Sequence, residues 1–126
     1  MSLKKTLAWK WFALYIKIRD GWTCVTCWKK ARGRGMGAGH FIQAHGHQNT
    51  FFDETNVHAQ CSRCNGWDTT SLLRYRRAII KKYGAGYDRK LEKLGNKYKQ
   101  WSKKELKEIA ERYKKEVEFQ KSLGNT

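Results

Sequence analysis

The segments 24-CVTC-27 and 61-CSRCN-65 decide how this sequence folds. Each has the C-x-x-C spacing of a zinc knuckle, and cysteine thiolates are preferred ligands of structural zinc. One tetrahedral site can join Cys24, Cys27, Cys61 and Cys64 only if residues 28–60 fold back as a hairpin. The spacing therefore predicts a structural zinc ion that staples a hairpin. A redox-active C-x-x-C is the alternative, but that motif normally belongs to a βαβ pattern, which is not evident here.

Length and hydropathy are those of one domain without a membrane-spanning segment. The chain has 126 residues and no proline, and its mean hydropathy is −0.84. We expect a single domain, 1–126, with an N-terminal helix (1–21), a zinc core with its following helix (22–84) and a C-terminal helical extension (85–126). No signal-peptide cleavage site follows the N-terminal lysines, so we expect a cytoplasmic protein.

The charge balance favours a polyanionic partner. The 27 Lys and Arg residues against 11 Asp and Glu give a formal net charge of +16, which makes nucleic acid the expected partner. A purely solubilising surface is the alternative, but such surfaces usually mix both signs. The residues that we expect to contact DNA are Lys29, Lys30, Arg32 and Arg34 in a glycine-rich loop, and Arg74, Arg77 and Lys81 on one helical face.

Hydrophobic periodicity predicts helices on both sides of a short hairpin. An amphipathic helix over 5–19 would bury Leu7, Trp11, Leu14 and Ile18, and extended runs at 37–42 and 56–60 would pair. A further helix would bury Leu72, Ile79 and Tyr83 and end at Gly84, and the last helix would begin with a capping box formed by Ser102 and Glu105. The apolar face of this last helix would either pack on the domain or form a dimer. The pattern indicates an α+β fold.

The hairpin also brings polar side chains together. His40, on the first strand, should face the helix near Cys64, so that its imidazole and the amide oxygen of Asn65 share one pocket. Hydrolysis of a phosphodiester needs a base for water and a cation that offsets negative charge. A near-neutral histidine can be the base, and an oxygen ligand can hold magnesium or manganese.

These residues resemble a known family. Gly39-His40, Asn56 and Cys61-x-x-Cys64-Asn65 resemble the His-Asn-His/Asn pattern of the HNH endonucleases. Over about residues 9–84, the longer motifs are similar to the lambdoid phage NinG/Rap recombination proteins, including FDETNVHAQC at 52–61. The resemblance implies a zinc-stapled treble-clef/ββα-metal HNH core with flanking N- and C-terminal helices.

The resemblance also implies a role for each site residue. His40 would be the general base, Asn65 would bind the catalytic metal, and Asn56 would fasten the loop that orients the base strand. Many HNH enzymes place Asp or His just before the base, whereas Gly39 has no ligand atom. We expect His58 to supply the missing ligand, with Asp68 as the alternative.

Together these features predict a metal-dependent DNA endonuclease with structural zinc and catalytic magnesium or manganese. The family likeness points to phage recombination and cleavage of branched DNA, including Holliday junctions, in an infected bacterial host cell. Symmetric cleavage of a junction would require a homodimer. A general or site-directed nicking endonuclease is the alternative within the same class. A noncatalytic zinc-stapled nucleic-acid-binding protein is the alternative of another class, and Gly39 keeps it open.

Overall fold

The computed structural model describes residues 2–66 and 69–126. Its main elements are α1 (Leu7–Arg19), β1 (Met36–His40), β2 (Val57–Cys61), α2 (Thr69–Tyr83), α3 (Tyr87–Gly95) and α4 (Lys103–Ser122). Short 3-10 helices cover Leu3–Lys5, Gly33–Gly35 and Gln48–Thr50. This mixture of helices and a two-stranded sheet agrees with the predicted α+β class. Within the described ranges, no helix has the length and apolar character needed to span a membrane.

The two strands form the predicted antiparallel hairpin. Gly39 lies opposite His58, and His40 lies opposite Val57. Because side chains alternate along a strand, Gly39 and His58 share one face of the sheet, and His40 and Val57 share the other. Neighbouring residues at the end of β1 therefore face different surroundings.

Helix α1 forms as predicted and buries Ile18 as expected, but Trp11 and Leu14 are only half-buried, and the main buried stripe lies one position away from the predicted one. Leu7 is 65% exposed, whereas Ala8, Phe12 and Ile16 are buried. The aromatic residues Trp9, Trp11 and Tyr15 are partly buried and pack around this stripe. The helix is apolar on adjacent stripes, so its hydrophobic periodicity did not determine which of them faces the core.

Helix α4 closes the core from the C-terminal side. Its predicted capping box is present, with Ser102 accepting from Glu105 N and the Glu105 carboxylate accepting from Ser102 N. Leu106, Tyr113 and Val117 are buried, and the Phe12 and Tyr113 rings meet edge to face at 4.8 Å. The apolar face of α4 is therefore used within the chain, where it packs on α1.

Helices α2 and α3 pack beside the strand face that carries Gly39. Tyr75 and Ile79 of α2 are buried together with Leu91 of α3. Gly84 follows α2 with a φ of 104°, the left-handed conformation expected of a helix-ending glycine. Leu72, which was predicted to be buried, is 39% exposed, and the short helix α3 was not predicted.

Candidate functional site

The four cysteines form one cluster. Their Sγ atoms all lie within 4.8 Å of one another, and those of Cys27 and Cys61 are 3.7 Å apart. A tetrahedral zinc ion with Zn–S bonds of about 2.3 Å holds its sulfurs about 3.8 Å apart. The donor set and its spacing thus fit a structural zinc ion. Cys24, Cys61 and Cys64 are buried, while Cys27 is exposed at the outer side of the knuckle.

The first knuckle is also hydrogen-bonded to the sheet. Val25 N donates to Ala59 O at 2.9 Å, and Ala59 N donates to the Asp20 carboxylate at 2.8 Å. Arg19 pairs with the same carboxylate at 2.8 Å. These contacts satisfy both backbone groups of Ala59 on the side of β2 that faces away from β1, and they fix the cysteine loop relative to the hairpin.

His40 is held in one tautomer. Its side chain lies against α1, where its ring stacks on Trp9 with the centroids 5.0 Å apart. His40 Nε2 lies 3.0 Å from Phe51 O. A carbonyl only accepts, so Nε2 carries the hydrogen, and the lone pair of the neutral ring is on Nδ1. Burial lowers the pKa of His40 to about 4, so the imidazole is neutral at neutral pH and its Nδ1 is unprotonated.

Asn56 fastens the segment between the strands. It is fully buried, and its Oδ1 accepts from Ile42 N at 2.7 Å. Its Nδ2 donates to Ile42 O at 3.2 Å and to Thr50 O at 3.0 Å. The amide therefore ties both ends of residues 42–50 to the start of β2. Phe51, whose carbonyl holds His40, is the next residue along the chain.

Asn65 lies over the opposite face of β1. A Cβ atom added at Gly39 would overlap Gln60 Oε1 and lie 3.0 Å from Asn65 Oδ1. Both amide oxygens thus border the space that a side chain at position 39 would fill. Asn65 is exposed, whereas Gln60 is only 3% exposed. The expectation that His40 and Asn65 face the same pocket is not met, because strand alternation turns His40 toward α1.

His58 is buried between two tyrosines. Tyr75 donates its hydroxyl hydrogen to Gly39 O at 2.6 Å, so its oxygen accepts from His58 Nδ1 at 3.1 Å. Tyr83 then donates to Nε2 at 2.8 Å. Burial lowers the pKa of His58 to about 3, so the ring stays neutral. Both ring nitrogens are used within the protein, which leaves neither free for a metal ion. Asp68, the other candidate, lies outside the described residues.

Gln60 was missed as a candidate ligand. Residues 58 and 60 lie on the same face of β2 as Gly39, and Gln60 pairs with Gly37. Strand alternation could have indicated that Gln60 shares a face with His58, whereas its place on the face of Gly39 follows from the register of the two strands. The structure therefore brings Gln60 beside Asn65 and holds His58 in hydrogen bonds to tyrosines.

The basic residues predicted to contact DNA fall into two groups. Arg74, Arg77 and Lys81 line a surface cleft of about 500 Å³ together with Trp28. Arg32 stacks on Trp22 instead, at 5.0 Å from the ring centroid. Lys29, Lys30 and Arg34 are exposed on the segment between the knuckle and β1. Trp28, at the mouth of the knuckle, was not recognised as a candidate from the sequence.

Comparisons with known proteins identify relatives of this chain. The family model described as bacteriophage lambda NinG protein matches residues 4–122. Protein ninG of Escherichia phage 933W is 27% identical over 113 residues, which cover 89% of this chain and 54% of that protein. Protein ninG of Salmonella phage P22 is 28% identical over 104 residues, or 82% of this chain and 50% of that protein. The chain thus spans about half the length of these relatives. No solved structure is significantly similar.

Proposed function

We propose that this chain, which belongs to the bacteriophage NinG family, is a metal-dependent DNA endonuclease with His40 as its general base. The observation that carries the proposal is the fixed tautomer of His40. Phe51 O accepts the Nε2 hydrogen at 3.0 Å, which leaves the lone pair on Nδ1. Nδ1 accepts a proton from the attacking water, and the hydrogen bond from Nε2 to the carbonyl strengthens as the ring becomes cationic.

Asn56 positions this base indirectly. Its bonds to Ile42 and Thr50 hold the segment that ends in the Phe51 carbonyl. The loss of these bonds would release that carbonyl, and the imidazole could then rotate or change tautomer. Asn56 is therefore a positioning residue, in line with the role that the family resemblance implies.

The amide oxygens of Asn65 and Gln60 are the proposed protein ligands for a catalytic magnesium or manganese ion. Both border the space above Gly39, and hard oxygen donors suit either cation. When bound, such an ion supplies positive charge that stabilises the developing charge on the phosphate and on the leaving oxygen. Gln60 is thus proposed as the second protein ligand, the role that was expected of His58. The proposed ion and His40 lie on opposite faces of β1. Because Gly39 and His40 are neighbours at the end of this strand, a phosphate bound at the strand end would contact the ion on one face and the base on the other.

DNA is the proposed substrate because the protein is strongly basic and two groups of cations flank the zinc core. Branched DNA is the more specific proposal, and it follows from the resemblance to recombination proteins. Paired cleavage of a four-way junction would require two copies of His40 and hence a dimer. Since α4 already packs on α1, the dimer would have to form through another surface.

A cleavage assay with zinc-loaded protein tests this proposal. Wild type, His40→Ala and His45→Ala would be incubated with a labelled four-way junction and a sequence-matched duplex, first in magnesium and then in manganese. His45 is an exposed histidine and serves as the matched control. We expect His40→Ala to lose cleavage by about 10²- to 10⁴-fold, with zinc content and DNA affinity unchanged. Cleavage of the duplex as fast as the junction would favour a general nicking endonuclease.

One observation favours a noncatalytic binder as the second candidate. Among residues 2–66 and 70–126, only the four cysteines form a group of three or more Cys, His, Asp or Glu side chains that could share a metal. In this part of the chain, the proposed catalytic ion would therefore not be held by a group of three or more such side chains. Tight, salt-sensitive DNA binding without cleavage by the wild type in either metal would establish the second candidate.

A further inference from the structure

Trp28 is displayed on the surface by the zinc knuckle. It directly follows Cys27, and its side chain is 68% exposed. Its φ of 65° is unusual for a residue other than glycine, and its backbone N donates to Cys24 O at 2.9 Å. The tight turn of the knuckle thus fixes the backbone conformation of Trp28. Its indole remains in water, where a large apolar side chain is unfavourable.

The exposed indole forms one side of a basic cleft. Val25, Thr26 and Trp28 contribute the knuckle side, and α2 contributes Arg74, Arg77, Ala78, Lys81 and Lys82. Lys81 Nζ lies 5.1 Å from the centre of the Trp28 ring. The cleft measures about 500 Å³, and no carboxylate is among these lining residues. Its chemistry therefore suits a ligand with a flat ring and adjacent negative charges.

We propose that this cleft binds an unpaired base of DNA, stacked on Trp28, with the neighbouring phosphates on Arg74, Arg77 and Lys81. The inference deepens the proposed function, because it rests on DNA as the partner. Bases inside a duplex are already stacked on each other, whereas an unpaired base offers its face to an aromatic side chain. A strand that lies along α2 would place its phosphates near cations that repeat along one helical face.

Equilibrium binding tests this site separately from cleavage. Zinc-loaded His40→Ala protein would be the background, and fluorescence anisotropy would be measured with three DNAs. These are a duplex with a two-base bulge, the same duplex with abasic residues in the bulge, and a fully paired duplex. Trp28→Ala, Trp28→Phe and Tyr98→Ala would be compared in this background. Tyr98 is an aromatic residue that is 87% exposed outside the cleft, so it controls for loss of a surface ring.

We expect Trp28→Ala to weaken binding to the bulged duplex by roughly 5- to 150-fold. Its effect on the paired and abasic duplexes should stay below about twofold, and Trp28→Phe should retain most of the affinity because it keeps an aromatic face. Tyr98→Ala should bind all three DNAs normally. An equal loss on all three DNAs, or no loss on any, would overturn base stacking. Polyglutamate would also be tested as a competitor. If Trp28→Ala weakened the binding of polyglutamate as much as that of bulged DNA, base stacking would be overturned and an acidic protein partner would be indicated.

The test remains informative if the proposed function is wrong. Absence of cleavage by the wild type with Trp28-dependent binding would remove the nuclease proposal and leave the stacking site. Cleavage that requires His40, together with DNA binding that does not depend on Trp28, would keep the nuclease proposal and remove the stacking site. Zinc content and circular dichroism of each variant would show that the knuckle has folded.

Discussion

The tyrosine pair around His58 makes a quantitative prediction. Tyr75 is 2% exposed, and its hydroxyl both donates to Gly39 O and accepts from His58 Nδ1, whereas half-buried Tyr83 only donates to His58 Nε2. Tyr75→Phe removes these two bonds and a longer contact of the same hydroxyl with Asn56 O at 3.4 Å, and it leaves one imidazole nitrogen buried without a partner. Each lost bond costs about 1 kcal/mol, and an unsatisfied buried group costs about 1–3 kcal/mol. Tyr83→Phe removes one bond and likewise leaves the buried Nε2 of His58 without its partner. We therefore expect Tyr75→Phe to lower the free energy of unfolding by about 3–5 kcal/mol and Tyr83→Phe by about 2–4 kcal/mol, a difference of one hydrogen bond.

Urea denaturation of the zinc-loaded variants at pH 7.5, followed by circular dichroism, measures this difference. Both substitutions remove one hydroxyl from a tyrosine of the same helix, so each controls for the other. Equal costs, or a larger cost for Tyr83→Phe, would refute the hydrogen-bond scheme and the tautomer assigned to His58. The scheme would also fail if Tyr75→Phe changed neither the free energy of unfolding nor the pKa of His58.

Four further predictions follow from the site and the core. Removing zinc with a chelator, or replacing Cys61 with Ser, should abolish cooperative unfolding, because structural zinc contributes about 10–16 kcal/mol and domains are stable by only about 5–15 kcal/mol; near-UV circular dichroism would detect a surviving fold. Burial lowers the pKa of His40 to about 4 and of His58 to about 3, whereas unfolded histidine titrates near 6.5. Acidification from pH 7 to 5.5 therefore favours proton uptake by the unfolded chain and should lower the free energy of unfolding by about 1 kcal/mol for each histidine. Urea titrations at the two pH values would measure this loss, and His40→Gln should reduce it by the contribution of one histidine. Glu54→Ala should cost about 1–2 kcal/mol, since Tyr113 donates to that carboxylate at 2.8 Å, and exposed Glu118→Ala should cost almost nothing in the same denaturation assay. DNA affinity should fall at least tenfold between 50 and 200 mM salt; a flat dependence in anisotropy titrations would contradict the electrostatic argument.

Short-range patterns predicted much of this fold. The spacing of the four cysteines predicted the metal-binding cluster and the hairpin between its halves. The capping box at Ser102 and the glycine after α2 located helix ends, because each acts through hydrogen bonds or dihedral angles within a few residues. The apolar face of α4 was also identified correctly, since charged residues on its other sides make its periodicity clear.

Other features depended on contacts between distant segments. Helix α1 is apolar on adjacent stripes, and only packing against α4 and the sheet determines that Phe12 is buried and Leu7 is not. The burial of His58 depends on two tyrosines of α2, at positions 75 and 83. The position of Gln60 next to Asn65 depends on the register of β1 and β2. Hydrophobic periodicity contains none of this information, because register and tertiary packing determine it.

The pairing of α1 with α4 affects how the protein folds during its synthesis. The aromatic face of α1 leaves the ribosome well before its covering helix α4, which begins only at Lys103. At typical translation rates of about 5–20 residues per second, that face waits several seconds or more for its partner. The zinc cluster likewise waits for Cys64. A nascent chain therefore exposes Phe12 and Ile16 to chaperones, so overproduction at lowered temperature with added zinc should increase the folded yield.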